Sequence, residues 1–197
     1  VTSYVEIPYI QVAKSEYIDT GIPMALDLKI EVEYEYIEKS SGQCLLGENV
    51  AGWNVYVDGF CGVDNNMGIA VSGAPQLVGY RLADTEMSIV SVNPGKLIIT
   101  NTHIILNDVQ YDANLKSNGT PYDILQNNGG TLCLCYNAAW NGHFKGKLFN
   151  FKVYKGDNLL MDLIPATGEY GTVAMYDKVT KTMFYNSGSG YFVGGEE

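Results

Sequence analysis

Hydrophobic and polar residues alternate with a period of two along most of this chain, most clearly near its carboxy-terminal end. Phe149, Phe151 and Val153 interleave with Asn150, Lys152 and Tyr154, which predicts a strand with one buried and one wet face. Lys155-Gly156-Asp157-Asn158 supplies a hairpin turn, and Leu159 to Ile164 returns as a second strand that Pro165 is expected to end by removing a ladder donor. Thr172 to Asp177 and Met183 to Tyr185 read as another pair, and Ser187-Gly188-Ser189-Gly190 leads to a last short strand at Tyr191 to Val193. Upstream, the same alternation predicts strands near Tyr4–Ile10, Tyr17–Thr20, Asp27–Tyr36, Cys44–Gly47, Trp53–Phe60, Met67–Val71, Gln76–Tyr80, Met87–Val92, Lys96–Thr100, His103–Leu106, Val109–Tyr111 and Thr131–Tyr136. Turn signals such as Asn93-Pro94-Gly95 and Asn127-Asn128-Gly129-Gly130 punctuate them at about the 8–12-residue spacing of a β-sandwich. No stretch predicts a long helix; Asp112 to Gln126 reads as a surface loop or a single helical turn.

The segment LFNFKVYKGDNLLMDLIPATGEYGTVAMYDKVTKTMFYNSGSGYF, Leu148 to Phe192, together with YIQVAKSEYIDTGI, Tyr9 to Ile22, resembles a family of bacterial and phage concanavalin A-like, laminin-G-like lectin/glucanase domains. The resemblance implies an all-β jelly-roll sandwich of two antiparallel sheets, with residues 1–197 forming a single domain. It does not fix an activity, because domains of this shape serve as glycan-binding modules, adhesion domains and glucanases.

A length of 197 residues with 46% hydrophobic side chains suits one such domain. Twelve basic against 22 acidic side chains, a net charge of −10, argue against nucleic acid, whose phosphates would be repelled. Arg81 is the lone arginine, which disfavours strongly anionic ligands. No apolar run approaches the roughly 20 residues that span a bilayer, so membrane insertion is not expected. Cys44, Cys61, Cys133 and Cys135 lack the spacing of a disulfide framework or a zinc site and read as small buried hydrophobes. The chain starts at Val1, which implies a removed leader or a longer parent polypeptide.

Three segments carry candidate chemistry. Glu31, Glu33 and Glu35 alternate on one strand face, and the resemblance to laminarinase-type hydrolases raises a nucleophile and acid pair there. Retaining hydrolysis needs carboxyls about 5–5.5 Å apart, and residues two apart on one strand face lie about 6.6 Å apart. However, Glu33 stands where those enzymes carry Asp, and their preceding Trp and Gly are missing, so a solvated face opposite Ile30, Val32, Tyr34 and Tyr36 is the reading taken. In Trp53 to Phe60, Trp53, Val55 and Val57 point to the core, while Asn54, Tyr56, Asp58 and Phe60 point outward as an aromatic platform with hydrogen-bonding groups suited to a neutral sugar. In the loop Asn137 to His143, Asn137, Trp140, Asn141 and His143 form a second contact segment, the alternative being a turn whose Trp caps the core. Neither His143 nor His103 has a partner in sequence for nucleophilic catalysis.

Relatives in the resembled family often hold calcium at the sandwich edge, and Asp58, Asp64 and Asn65, or Asn107 and Asp108, are the nearest oxygen sets here; without diagnostic spacing, no metal site or cofactor is assigned. The expectation is therefore a non-catalytic recognition or adhesion domain at a bacterial cell surface, extracellular or on a virion. Its ligand would be a neutral glycan held by Tyr56, Phe60 and Trp140, with homo-oligomers or arrays raising a modest affinity. A virion decoration or structural module without small ligand, and a glycoside hydrolase acting on β-glucan, are the alternatives.

Overall fold

The computed structural model describes residues 3–38, 43–50, 52–58, 68–72, 80–81, 94–113, 115–138 and 142–196. Its strands are β1 (Val5–Glu6), β2 (Ile10–Val12), β3 (Ile18–Pro23), β4 (Leu28–Tyr36), β5 (Gln43–Glu48), β6 (Asn54–Asp58), β7 (Gly68–Ser72), β8 (Tyr80–Arg81), β9 (Gly95–Ile99) and β10 (His103–Leu106). They continue with β11 (Val109–Asp112), β12 (Thr131–Leu134), β13 (Tyr136–Asn137), β14 (Gly142–His143), β15 (Gly146–Lys155), β16 (Asn158–Thr167), β17 (Val173–Asp177), β18 (Thr182–Phe184) and β19 (Val193–Gly194). No α-helix occurs among the described residues. The larger antiparallel sheet runs β11-β10-β9-β4-β15-β16-β17-β18, with β2 pairing β15 and β19, and β1 pairing β16. The smaller antiparallel sheet runs β3-β12-β5-β6-β7-β8, and β13 with β14 forms a separate two-stranded ribbon.

The two sheets enclose one core, as expected of a β-sandwich. Ile30, Val32 and Tyr34 of β4 and Phe151 and Val153 of β15 come from the larger sheet; Leu46, Trp53, Val55, Leu132 and Leu134 meet them from the smaller, and all are at most 1% exposed. Trp53 reconciles bulk with polarity by donating its indole N–H to the Ile124 carbonyl at 2.7 Å. Cys44, Cys133 and Cys135 are buried free thiols.

Two expectations about the carboxy-terminal strands are corrected. Phe149 does not share the buried face of Phe151 and Val153. The β4–β15 register shifts between Leu148 and Asn150, so Leu148 takes the inward position at 1% exposure and Phe149 stays half-buried on the outer face. Such a bulge re-aims a side chain. Pro165 does not end its strand either: β16 continues to Thr167. The Pro165 carbonyl accepts from Ile7 N at 3.1 Å, and the missing N–H lies on that same side, beyond Leu163, where the β15 ladder stops.

Candidate functional site

The sequence-predicted segments come together, but with their amides turned inward. After β12 the chain reverses at Cys135, which adopts a left-handed φ of 69°, and the β13–β14 ribbon folds over β5. Gly47 of β5 makes this possible: a Cβ there would stand 2.3 Å from the Tyr136 carbonyl oxygen. Gly47 is also the ladder partner of Asn54, so Asn54 lies beneath the ribbon and Asn137, within it, is buried as well, 2% and 0% exposed. Asn137 donates to the Trp53 carbonyl at 3.4 Å and Asn54 to the Gly52 carbonyl at 3.3 Å. Asn137 thus ties the ribbon to the segment entering β6 while Asn54 bonds within its own segment; both are buried rather than turned outward, which corrects the placement expected for them. Tyr56 and Asp58 occupy backbone positions in β6, opposite Ala70 and Gly68. Phe60, Asp64, Asn65, Trp140 and Asn141, and the strand expected at Met87–Val92, lie outside the described residues. Among the described residues no three His, Cys, Asp or Glu side chains gather to hold a metal ion.

His143 leads to a site that the sequence reading passed over. Its ring tilts against Tyr136 with centroids 5.6 Å apart, and Tyr136 stacks on Tyr17 at 4.3 Å. Burial outweighs the Cys135 backbone and Glu16 and lowers the imidazole pKa, so it is neutral at pH 7. Tyr17 in turn anchors the loop that follows β18. Tyr17 N donates to Asn186 Oδ1 at 3.0 Å, Ser187 N donates to the Tyr17 carbonyl at 2.8 Å, and Asp19 N donates to Ser187 Oγ at 3.3 Å. The Asn186 amide closes the loop on itself, donating to the carbonyls of Gly188 at 3.2 Å and Gly190 at 2.8 Å. Ser15 Oγ donates to the Ser189 carbonyl at 3.1 Å.

Beneath the loop lies the nearly buried Glu16. Its carboxylate accepts the amides of Ala13 at 3.1 Å and Lys14 at 2.8 Å. Burial pushes this carboxyl up, but the amides of residues 13–16 outweigh it and hold it below the usual carboxylate range.

This pinned loop forms one wall of a cavity of about 420 Å³, lined by Thr172, Val173, Tyr185, Asn186, Gly188, Gly190, Tyr191 and Phe192. No lining residue is charged. Tyr191 is 85% exposed and Tyr185 47%. A 3-10 turn at Glu169–Gly171 precedes the lining residue Thr172 and carries Tyr170, 94% exposed and held at a φ of 66°. Gly168 N donating to the Thr172 carbonyl at 2.9 Å closes that turn. A bulky residue in the left-handed region costs of order 1–3 kcal/mol and is commonly found at functional sites. Tyrosine faces, hydroxyls and open backbone around an uncharged cavity can stack on an apolar ring and hydrogen-bond its hydroxyls.

Glu31, Glu33 and Glu35 lie half-buried on the outer face of the larger sheet, away from this cavity. Glu31 is paired with Lys29 at 3.0 Å and Glu35 with Lys147 at 3.8 Å. No helix among the described residues is long and apolar enough to cross a membrane. Comparison with protein-family models and with curated proteins returns no match.

Proposed function

We propose that the chain is a concanavalin A-like, laminin-G-like jelly-roll domain that binds a neutral glycan, without catalysis, in recognition or adhesion at a bacterial or phage surface. The observation that carries the reading is the uncharged cavity walled by a pinned loop and rimmed by Tyr185 and Tyr191. A loop already fixed in the free protein loses little further entropy on binding. Tyrosine offers broad contact area with few rotatable bonds. The absence of charge among the lining residues favours a neutral ligand over an ionic one, because no lining charge must be desolvated without a partner. Glu31 and Glu35 are each engaged by a lysine, which weighs against a free pair of carboxylates poised for hydrolysis on that face. One shallow site gives modest affinity, so display in arrays or oligomers on a cell or virion surface suits it.

The test is binding to a broad panel of neutral oligosaccharides, followed by calorimetry on any hit. Tyr191→Ala, at an exposed position, should leave the melting temperature unchanged and weaken binding about ten-fold, or roughly 1.4 kcal/mol. Tyr185→Ala should weaken it as well. Failure of every neutral glycan to saturate, or binding indifferent to both substitutions, overturns the proposal. Release of reducing ends from a β-glucan would instead support the hydrolase reading, and stoichiometric assembly with a virion protein the decoration reading.

A further inference from the structure

The three glutamates of β4 differ in their partners. Glu31 and Glu35 are each held by a lysine, at 3.0 Å and 3.8 Å. Glu33 lies between them with Lys96 of β9 as its cross-strand neighbour, yet among the described residues no ion pair joins Glu33 to any base. Instead Glu33 and Lys96 both open onto a cavity of about 460 Å³ that Pro94, Asp108 and Phe149 also line.

Two further features build this groove. The bulge between Leu148 and Asn150 turns Phe149 out of the core, and the ring meets the edge of Tyr9 at 6.1 Å. At the opposite rim, Asn107 Oδ1 accepts Lys96 N at 2.7 Å and Asn107 Nδ2 donates to the Pro94 carbonyl at 3.3 Å. Those bonds fix the β10–β11 turn and with it Asp108, whose φ of 67° sets its backbone in the left-handed region.

We propose that this groove is a second binding site and that it takes a protonated amino sugar, its apolar ring face on Phe149 and its ammonium between Glu33 and Asp108. An aromatic face and carboxylates both attract an ammonium. Two carboxylates against the one ammonium of Lys96 leave the lining net negative, and the chain's charge of −10 draws cations toward it. Lys96 is left to donate to a ring hydroxyl. A neutral N-acetylated sugar would cover the same carboxylates and offer no counter-charge, which penalises it. The volume lies within the range of small-molecule sites. The groove shares no residue with the tyrosine-rimmed pocket, so this inference does not rest on the glycan reading above.

The experiment compares a glucosamine hexamer with its fully N-acetylated counterpart by calorimetry at pH 6 and low salt. The amine form should bind at least ten-fold more tightly and weaken as salt rises. Glu33→Gln and Phe149→Leu should each cost about ten-fold in affinity with an unchanged melting temperature, the latter keeping an apolar group but removing the stack. Tyr191→Ala should leave this binding unaltered, which separates failure here from failure of the tyrosine pocket. Equal binding of the two hexamers overturns the proposal. So does a Glu169→Gln control that weakens binding as much as Glu33→Gln, because that outcome marks general attraction to an acidic surface.

Discussion

Gly188 packs where a side chain would strike the segment leading into β3, and Gly188→Ala tests whether that contact holds the pocket together. A Cβ built on its present backbone stands 2.0 Å from the Ser15 carbonyl oxygen and 2.9 Å from Cδ1 of Tyr17. Real Cβ atoms do not approach within 3.0 Å, so loop and strand must part by about 1 Å at Ser15. The Ser15 neighbour is backbone and cannot swing aside. Four hydrogen bonds span the same seam: Tyr17 N to Asn186, Ser187 N to Tyr17, Asp19 N to Ser187 and Ser15 Oγ to Ser189, at 3.0, 2.8, 3.3 and 3.1 Å. Lengthened by about 1 Å they leave hydrogen-bonding range. At about 1 kcal/mol net for each, losing all four costs about 4 kcal/mol, which in a chain of this size lowers the melting temperature by roughly 8–16 °C. Calorimetric melting gives the global figure, and amide hydrogen exchange at Tyr17 and Ser187 localises it. Glycan binding should fall in parallel, since Tyr185 and Tyr191 flank the loop. A variant that melts within about 2 °C of the parent, with Tyr17 and Ser187 still protected, refutes the reasoning.

Glu16→Gln should destabilise by about 1–3 kcal/mol at pH 7, because a charged acceptor of two amides is lost. The folded carboxyl titrates below its unfolded value of about 4.3, so its contribution is present above that pH and is lost as pH falls through the lower folded value. Urea melts should therefore show the gap between parent and variant shrinking from pH 7 to pH 3; a gap that widens there contradicts the assignment. Phe151→Ala removes a fully buried ring at the centre of β15, opposite Val32 and Leu163, and should cost about 3–5 kcal/mol by denaturant melting. Burial, helped by Asp19 and Glu48, pushes the Cys133 thiol up to about 12, and burial raises Cys44 and Cys135 as well. Iodoacetamide at pH 8 should thus leave these three unlabelled in the native protein and react once denaturant is added, as peptide mass mapping would show.

The all-β class and the terminal hairpin were readable because both depend on local pattern. Lys155 and Asn158 pair across a two-residue loop in which Gly156 adopts a φ of 56°, as the turn residues suggest. Phe149 was misread for a physical reason: two adjacent apolar residues, Leu148 and Phe149, competed for one inward position, and only the β4 register decided the winner. The pair did carry a signal, since consecutive apolar residues inside an alternating strand mark a possible phase break. Asn54 and Asn137 show a different limit. Period two correctly sends Trp53 and Val55 into the core, each 0% exposed, but it says nothing of a ribbon 80 residues later in the chain that covers the other face.

The pocket loop was the hardest part to read, and the reason lies in what its small residues do. Ser187-Gly188-Ser189-Gly190 has the composition of a flexible connector, yet Gly188 serves close approach, Ser187 Oγ receives the Asp19 amide and the Ser189 carbonyl accepts from the Ser15 hydroxyl. Flexibility in sequence becomes order in the fold because a chain without side-chain bulk at Gly188 can lie close enough to its neighbour for Asn186, Ser187 and Ser189 to bond it. The exposed tyrosine follows from the same segment: Gly188 and Gly190 pack closely against Ser15 and Glu16, Phe192 takes the inward position at 5% exposure, and its neighbour Tyr191 is left outward at 85%. An aromatic side chain already outside stays available for contact without first breaking any interaction in the core. The Gly188→Ala and Tyr191→Ala substitutions should therefore differ in kind, the first lowering stability and binding together and the second lowering binding alone.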